Sequence, residues 1–321
     1  MSTRYARQMQ LPEVGDGGQA WLRAARVLVA GAGGLGSPVL SYLAGAGLGC
    51  LVVVDPDRVD ESNLHRQPLY RMDDIGRPKA EAAAEAITRL NPEVQVEPHV
   101  ERLDPANVSA LARGADVVID AGDSYALTFT LSDHCRDSGQ ALISASVLGF
   151  SGYAGGFCGG APSVRALFPD PPDNLQSCAN AGVSGPAVGM LGALQAQLAL
   201  NHLLGLSPSS LGRLVTLDLK TLALSSFSFA NAPEPDTAFP FIAAGDIGTE
   251  DLVIDLRSAE EALRPATPSA LRVLPPEIGR LERPEDGART VLCCRSGLRA
   301  WRAAHALEAK GFSRLALVAL G

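Results

Sequence analysis

Lysine is scarce in this chain of 321 residues, and several features that would place the protein in a particular class are missing. Only three of its 27 basic residues are lysines. The six cysteines lack tight, regular spacing, which argues against a disulfide framework and favours a reducing compartment. No apolar run approaches the ~20 residues of a bilayer span. The first residues, MSTRYARQMQLPE, contain no apolar segment typical of a secretory signal. We therefore expect a cytoplasmic protein without membrane association.

The charge balance and the length further limit the class of protein and the number of domains. Against 27 basic residues stand 35 acidic ones, and the formal net charge of −8 makes the chain a poor candidate for nucleic-acid binding. With 46% hydrophobic and 19% charged residues, the chain has enough apolar material for a core. Because ordinary domains hold roughly 100–200 residues, we expect two domains.

The segment 26–36, RVLVAGAGGLG, begins the first recognisable unit. Its apolar start is typical of a buried parallel strand, and its glycines lead directly into a predicted helix at 37–46 and a second strand at 51–55. This order opens a doubly wound, Rossmann-like α/β fold. Further strands are predicted at 94–100, 116–120 and 142–146, with helices at 79–89 and 106–113.

The remainder of the chain contains a long apolar helix and a second unit. Six glycines within 149–160 favour a hairpin or a loop over a flexible lid. The helix at 186–204 is apolar on most sides, which places it in the core or in a subunit interface. A linker-like stretch at 231–236 precedes a new strand–helix pattern. We therefore predict an ATP-binding domain at 1–240 and a small α/β domain at 249–321.

The glycine loop alone is weak evidence for any one nucleotide. A GxGxxG loop between a strand and a helix binds phosphate through backbone amides, and Asp55 after the second strand suits the ribose of NAD or of ATP. The cations are more informative, because a triphosphate needs side-chain charge. Arg66 can donate hydrogen bonds to two phosphate oxygens at once. Lys79 begins a predicted helix, where the helix dipole disfavours a cation, so its position points to a role other than helix stability.

The ordered set of motifs resembles the HesA/MoeB/ThiF family of ubiquitin-activating-type adenylyltransferases, in particular those that act on molybdopterin synthase. The similarity runs over roughly 1–230. It covers RYARQ at 4–8, GAGGLG at 31–36, VDPDRVDESNLHRQ at 54–67, GRPK at 76–79, DAGDS at 120–124 and CANAGVSGP at 178–186.

This resemblance implies an ATP site with Mg²⁺, in a homodimer. The glycine loop would hold phosphate, and Asp55 at the end of the second strand would hold the ribose. Asp123 would bind Mg²⁺, and Arg7 would reach the ATP of a partner subunit. The residues that the resemblance assigns to ATP are Arg7, Gly31, Gly33, Gly34, Gly36, Asp55, Ser62, Asn63, Arg66, Lys79, Asp123 and Ser124.

The family's structural zinc site is not expected here. Relatives commonly carry two CxxC pairs, and the matching positions in this chain fall on Ser163 and Ala166 and near Glu234 and Thr237. Without the four thiolates a tetrahedral sulfur site does not form. We expect no structural zinc and a region held by packing alone.

Two cysteines are candidates for covalent chemistry. The resemblance puts Cys178 at the family's reactive-cysteine position, where it is either a nucleophile, an inert buried thiol or dispensable. Cys294 ends a predicted strand before a glycine turn and a helix, in CRSGLR, where backbone amides and arginines lower a thiol pKa. Its neighbour Cys293 is expected to point to the opposite side of the strand.

The C-terminal unit resembles a shortened rhodanese domain. The similarity lies in LVIDLR at 252–257, in the CRSGLR loop and in GFSR at 311–314, while the usual histidine–proline–glycine segment is not seen in 269–279. Sulfur transfer from a Cys294 persulfide and a docking role without chemistry both remain open.

We therefore expect ATP-dependent adenylation of the C-terminal Gly-Gly carboxylate of a ubiquitin-like sulfur carrier, followed by sulfur transfer from a donor. Three alternatives remain: an NAD-dependent oxidoreductase, a carrier-binding module without catalysis, and adenylation of a peptide or a small carboxylate. The first alternative gives Arg66 and Lys79 no role.

Overall fold

The computed structural model describes residues 3–169, 182–236, 238–284 and 287–321 and places them in two sheets with flanking helices. The helices are α1 (Gly15–Ala24), α2 (Gly36–Ala46), α3 (Lys79–Leu90), α4 (Val108–Leu111), α5 (Tyr125–Ser138), α6 (Val164–Leu167), α7 (Gly185–Leu203) and α8 (Leu298–Glu308). The strands are β1 (Arg26–Ala30), β2 (Cys50–Val54), β3 (Gln95–His99), β4 (Val117–Asp120), β5 (Ala141–Leu148), β6 (Ser151–Cys158), β7 (Arg213–Asp218), β8 (Ala223–Ser228), β9 (Leu252–Asp255), β10 (Leu271–Arg272), β11 (Thr290–Cys294) and β12 (Leu315–Ala319).

The larger sheet has the order β3-β2-β1-β4-β5-β6-β7-β8. Strands β1 to β5 pair in parallel, and β6 to β8 extend the sheet in antiparallel fashion. The predicted doubly wound α/β fold is confirmed. Since the carboxyl ends of β1, β2 and β4 lie side by side, the loops after them meet at one edge of the sheet.

The glycine-rich segment forms strand β6 of a hairpin with β5, as one of the two sequence interpretations predicted. Its glycines are needed because the chain passes close to its neighbours. A Cβ on Gly155 would lie 2.7 Å from Leu214, and one on Gly156 would lie 2.5 Å from the Ser210 carbonyl oxygen. The run therefore packs tightly rather than acting as a lid.

The smaller sheet is parallel throughout, with the order β10-β9-β11-β12. A second small α/β unit is therefore present, as predicted. The residue after the first predicted domain, Phe241, forms a β-bridge with Leu317 of β12. The boundaries at 240 and 249 remain a prediction.

Aromatic side chains join the two units. Phe129 on α5 stacks on Trp301 of α8, with ring centroids 4.9 Å apart. Phe239 meets the same indole edge-on at 5.7 Å, and Phe241 lies 6.4 Å from it. These rings belong to one hydrophobic cluster that runs from the face of the large sheet carrying α5 into the C-terminal unit. Within the described residues, no helix is both long and apolar enough to cross a membrane.

Candidate functional site

The glycine loop between β1 and α2 is fixed by close approaches that exclude a side chain. Gly31 has φ +105°, and a Cβ on it would lie 2.6 Å from the Ala121 carbonyl oxygen after β4. A Cβ on Gly36 would collide with the Gly31 carbonyl, and one on Gly34 would lie 2.7 Å from Val188 of α7. The loop therefore brings its backbone amides to the carboxyl edge of the sheet, at the start of α2.

Asp55 ties this loop to the end of β2. One carboxylate oxygen accepts the Ala32 amide at 2.7 Å, and the other accepts the Asp57 amide at 2.8 Å. Burial raises the pKa of Asp55 above its ordinary value, although the nearby Lys79 ammonium acts in the opposite direction. The carboxylate thus stabilises the loop, and its contact with a ribose remains a prediction.

Lys79 is a buried cation at this edge of the sheet. Its side chain is 7% exposed, and its ammonium contacts the carboxylate of Asp57 at 2.8 Å. Two other acidic residues after β2, Asp57 and Asp60, have different partners. Asp57 pairs with Lys79, while Asp60 accepts the Ser62 amide at 2.9 Å and caps the short helix Glu61–Asn63. Hydrogen bonds from Ser62 lower the pKa of Asp60.

Arg66 lies between the glycine loop and the start of α7. Its Cγ is 3.6 Å from the point that a Cβ on Gly34 would occupy, and a Cβ on Gly185 would lie 2.5 Å from the His65 carbonyl oxygen. The Arg66 guanidinium meets the Ser62 carbonyl at 3.3 Å and the His65 ring at 2.8 Å. Among the described residues the guanidinium contacts no carboxylate, so its charge stays available for an anion. Asn63 lies beside it and donates to Ser62.

Two carboxylates at the end of β4 and in the loop after it differ in burial. Asp120 is fully buried and accepts hydrogen bonds from Thr128 (2.7 Å), Ser144 (2.8 Å) and the Gly122 amide (3.3 Å). Burial raises its pKa to about 6. Asp123 is exposed and has no partner within the part of the chain that the structure describes. Next to it, Ser124 caps α5 through the Leu127 amide at 3.2 Å.

The known proteins most informative about this site are sequence relatives. The sequence model of the ThiF family matches residues 5–238. The chain belongs to the ThiF family. It is 41% identical to the SAMP-activating enzyme E1 of Haloferax volcanii over 233 residues, which is 72% of this chain and 86% of that enzyme. It is 42% identical to the sulfur carrier protein adenylyltransferase of Thermus thermophilus, over 67% of this chain and 82% of the relative.

Longer relatives match over a smaller part of their length. Identity to the adenylyltransferase and sulfurtransferase UBA4 of Yarrowia lipolytica is 45% over 64% of this chain, which spans about half (53%) of that relative. Among solved structures, Escherichia coli MccB aligns with a TM-score of 0.64 at 21% identity, over 73% of this chain and 74% of its own. PaaA aligns with a TM-score of 0.60 at 23% identity, over 70% and 72%. Both structures support the fold. The resemblance of residues 249–321 to rhodanese lies beyond the matched region and remains a prediction.

At two of the positions that match the zinc-binding cysteines of relatives, this ThiF-family chain has a hydrogen-bonded pair. The Ser163 amide and hydroxyl donate to the two carboxylate oxygens of Glu234 at 2.7 and 2.6 Å. Thr237 lies outside the described residues, and the described residues hold no group of three or more metal-binding side chains. The expectation that packing alone holds this region is wrong, because directed hydrogen bonds join the two segments.

Arg165 on α6 lies between Ser163 and Ala166, the positions that match the first cysteine pair of relatives. The sequence alone did not identify it as important. Its side chain is 1% exposed and forms a bidentate pair with Asp133 at 2.7 and 2.8 Å. The guanidinium also lies over the rings of Phe129 (4.5 Å) and Trp301 (5.1 Å). Arg165 thus joins both units of this family member through one charged group.

The backbone cradle predicted around Cys294 is present. The thiol sulfur accepts the Gly297 amide at 3.2 Å and the Ala300 amide at 3.4 Å, at the start of α8. Cys293 and Cys294 belong to clusters on opposite faces of β11. Burial raises the pKa of Cys293 to about 12.

Two features of the cradle were not foreseen. Cys294 is completely buried, and a Cβ on Gly297 would lie 2.6 Å from the Phe241 ring and 3.3 Å from Ala126 on the first turn of α5. The cradle is therefore packed against the helix that begins beside Asp123. As expected, Arg299 lies beside the thiol: its ion pair with Glu261 and, to a smaller degree, its interaction with the Cys294 side chain raise the Arg299 pKa. Arg295 is exposed.

Arg7 lies away from the glycine loop of its own chain. Arg7 is exposed, and its neighbour Gln8 donates to the Ala46 carbonyl at the far end of α2. Since α2 begins at the glycine loop and has 11 residues, Arg7 lies about 16 Å away along this helix. Cys178 falls within 170–181, outside the described residues.

Proposed function

We propose that this protein adenylates the C-terminal Gly-Gly carboxylate of a ubiquitin-like sulfur carrier. The observation that carries the proposal is the pair of cations at the glycine loop. Arg66 lies against Gly34 and has no carboxylate partner among the described residues, and Lys79 is buried near Asp55. A pyrophosphate is satisfied by backbone amides, whereas a triphosphate needs this additional charge. The names of the relatives supply the class of acceptor, because they include SAMP-activating and sulfur-carrier enzymes.

The residues around the loop suit in-line attack on a bound ATP. A carrier carboxylate oxygen attacks the α-phosphorus, the bond to the β-phosphate oxygen breaks, and pyrophosphate leaves. The new bond gives an acyl adenylate. Arg66 and Lys79 neutralise the phosphate charge, while the loop amides hold the oxygens in place. Asp55 fixes the loop through the Ala32 amide and positions the ribose of the bound ATP.

Asp123 is the residue that fits Mg²⁺. Its exposed carboxylate has no partner among the described residues, whereas Asp120 behind it is saturated by three donors. One carboxylate together with phosphate oxygens is a typical Mg²⁺ environment, and bound Mg²⁺ neutralises charge on the phosphates. We assign the metal to Asp123.

The second step transfers sulfur. A persulfide on Cys294 would attack the acyl carbon, the bond to the AMP oxygen would break, and an acyl disulfide would remain. A second thiol, for which Cys178 is the candidate, would then attack the Cys294 sulfur and release a thiocarboxylate. The amides of Gly297 and Ala300 stabilise negative sulfur at this place. The step requires that the buried thiol becomes uncovered.

A cytoplasmic homodimer completes the proposal. Arg7 lies far from the glycine loop of its own chain and is exposed, as a residue that serves the partner's ATP would be. The exposed apolar side chains Trp21, Tyr42 and Met190 offer area for such an interface. Sedimentation should show a dimer at micromolar concentration; a monomer with full activity would contradict this assignment.

Nucleotide binding tests the choice between ATP and NAD. Calorimetry should show binding of Mg·ATP by the wild type and much weaker binding by Arg66→Ala and Lys79→Ala. Arg89→Ala is a matched control, because Arg89 forms only a surface pair with Glu85 at the far end of α3. Binding of NAD instead of ATP, or equal ATP binding by all four proteins, would refute the proposal.

A further inference from the structure

Gln67 is a buried side chain with an unsatisfied amide. It is 3% exposed, and its Oε1 has no hydrogen-bond partner. The described residues give its Nε2 no partner either. The backbone is nevertheless fixed, because its amide donates to Asn63 at 3.1 Å and its carbonyl accepts the Tyr70 amide at 3.2 Å. The side chain is therefore held in place without having its polar atoms paired.

The amide faces the glycine loop. Its Nε2 lies 3.6 Å from the point that a Cβ on Gly33 would occupy, in the same way that the Arg66 side chain approaches Gly34. Consecutive side chains thus meet consecutive glycines. The Gly33 carbonyl already accepts Ser37, so it offers little to a further donor. Tyr70 braces the same loop by donating its hydroxyl to Ala32 at 2.6 Å.

Such an arrangement is costly unless a ligand completes it. Buried amides in proteins are almost always hydrogen-bonded, and an unpaired one destabilises the fold. Gln19 shows the usual outcome in this chain, because it is equally buried and its amide pairs with Gln8 and with the Ala46 carbonyl. Polar groups that lack a partner concentrate at functional sites.

We propose that the Gln67 Nε2–H donates a hydrogen bond to a phosphate oxygen of ATP held on the glycine loop. Gln67 would then be a third side-chain contact to the phosphates, beside Arg66 and Lys79. Rotation about its last side-chain bond is enough to turn the donor towards the anion. The inference rests on the proposed function, since it requires that the loop binds ATP.

Replacement by an apolar side chain separates a ligand contact from a structural one. Gln67→Leu and the straighter Gln67→Met remove the amide, so the nucleotide-free protein should keep or raise its melting temperature. Because a hydrogen bond to a charged group is lost, the ATP dissociation constant should rise about tenfold or more. In ATP–pyrophosphate exchange, the KM for ATP should rise with the dissociation constant, and kcat should change less.

Gln140→Leu is the matched control. Its amide is fully paired with the Ala112 and Ala115 carbonyls, and it precedes β5 at the opposite edge of the sheet. This variant should lose melting temperature and keep its ATP affinity. A wild type that binds ATP while Gln67→Leu and Gln67→Met bind it equally well would overturn the Gln67 assignment alone. A wild type that binds no ATP would overturn the proposed function with it.

Discussion

Ser163 and Glu234 join two segments that lie 71 residues apart in the sequence, through hydrogen bonds of 2.6 and 2.7 Å. By the family resemblance, these positions correspond to the sites of zinc-binding cysteines in relatives. Because the Glu234 carboxylate accepts hydrogen bonds from both the amide and the hydroxyl of Ser163, it holds the two segments together in one orientation. We refer to this pair as the Ser163–Glu234 clasp.

The clasp should contribute to stability without any metal. Ser163→Ala and Glu234→Gln should each lower the free energy of unfolding by about 1 kcal/mol, because a charge-assisted hydrogen bond is weakened or lost. The double variant should cost less than the sum, since the two side chains share one interaction. Urea denaturation measures all three. A strong chelator should leave the wild-type transition unchanged; a fall in midpoint would show a bound metal.

Arg165 should be the most sensitive single position at the junction of the two units. Arg165→Ala leaves Asp133 without its partner and opens a gap beside the stacked rings of Phe129 and Trp301, so we expect a loss of about 3–5 kcal/mol in the free energy of unfolding. Arg165→Lys keeps the charge and loses the planar stack, so its loss should be smaller. The change in tryptophan emission during urea unfolding reports mainly Trp301, because the other tryptophan, Trp21, is already 72% exposed in the folded protein. Arg280→Ala, at an 83% exposed site, should behave as the wild type.

The stability of the protein should depend on Asp120 in a defined pH window. Burial raises the pKa of this carboxyl from 3.8 to about 6 in the folded state. Between pH 4 and 6 the folded state therefore binds more protons than the unfolded state, and stability falls as the pH rises. Asp120→Asn should flatten this part of the profile and gain up to about 3 kcal/mol at pH 7. Thermal melts across pH 4–7 measure the difference; parallel profiles would contradict the assignment.

The covered thiol of Cys294 gives a prediction about accessibility. Alkylation of the folded wild type should be slow at both Cys293 and Cys294, because neither is exposed. Phe241→Ala removes the ring that lies over Gly297 and should speed alkylation of Cys294 severalfold. Cys293 faces the other side of β11 and should stay protected. Peptide mass spectrometry resolves the two sites, and equal acceleration at both would point to general unfolding instead.

The sequence predicted which residues surround the glycine loop, but it did not predict the junction between the two units. The positions of the glycine loop, Asp55 and Asp123 could be predicted because each lies within a few residues of a strand's carboxyl end, and these ends meet at one edge of a parallel sheet. The contact between Arg165 and Trp301 could not be predicted in this way. Their contact depends on how α5, α6 and α8 pack, and no local pattern specifies that arrangement.

The same limit explains the two site features that the sequence did not foresee. Gln67 follows Arg66 in the motif at 54–67, but only the structure shows that the Gln67 side-chain amide is buried without a partner among the described residues. The turn and the strand end at Cys294 predicted the backbone amides around its sulfur. They did not predict that Phe241, from the preceding segment, would cover the cradle.

Carrier-dependent ATP–pyrophosphate exchange is the measurement that tests the account most directly. With Mg·ATP and a ubiquitin-like sulfur carrier ending in Gly-Gly, labelled pyrophosphate should enter ATP. Exchange should be lost with a carrier that lacks these glycines and with Arg66→Ala, and retained by Arg89→Ala and Cys294→Ala. Exchange that persists with the truncated carrier and with Arg66→Ala, or that fails with every Gly-Gly carrier although Mg·ATP binds, would contradict the proposed adenylation.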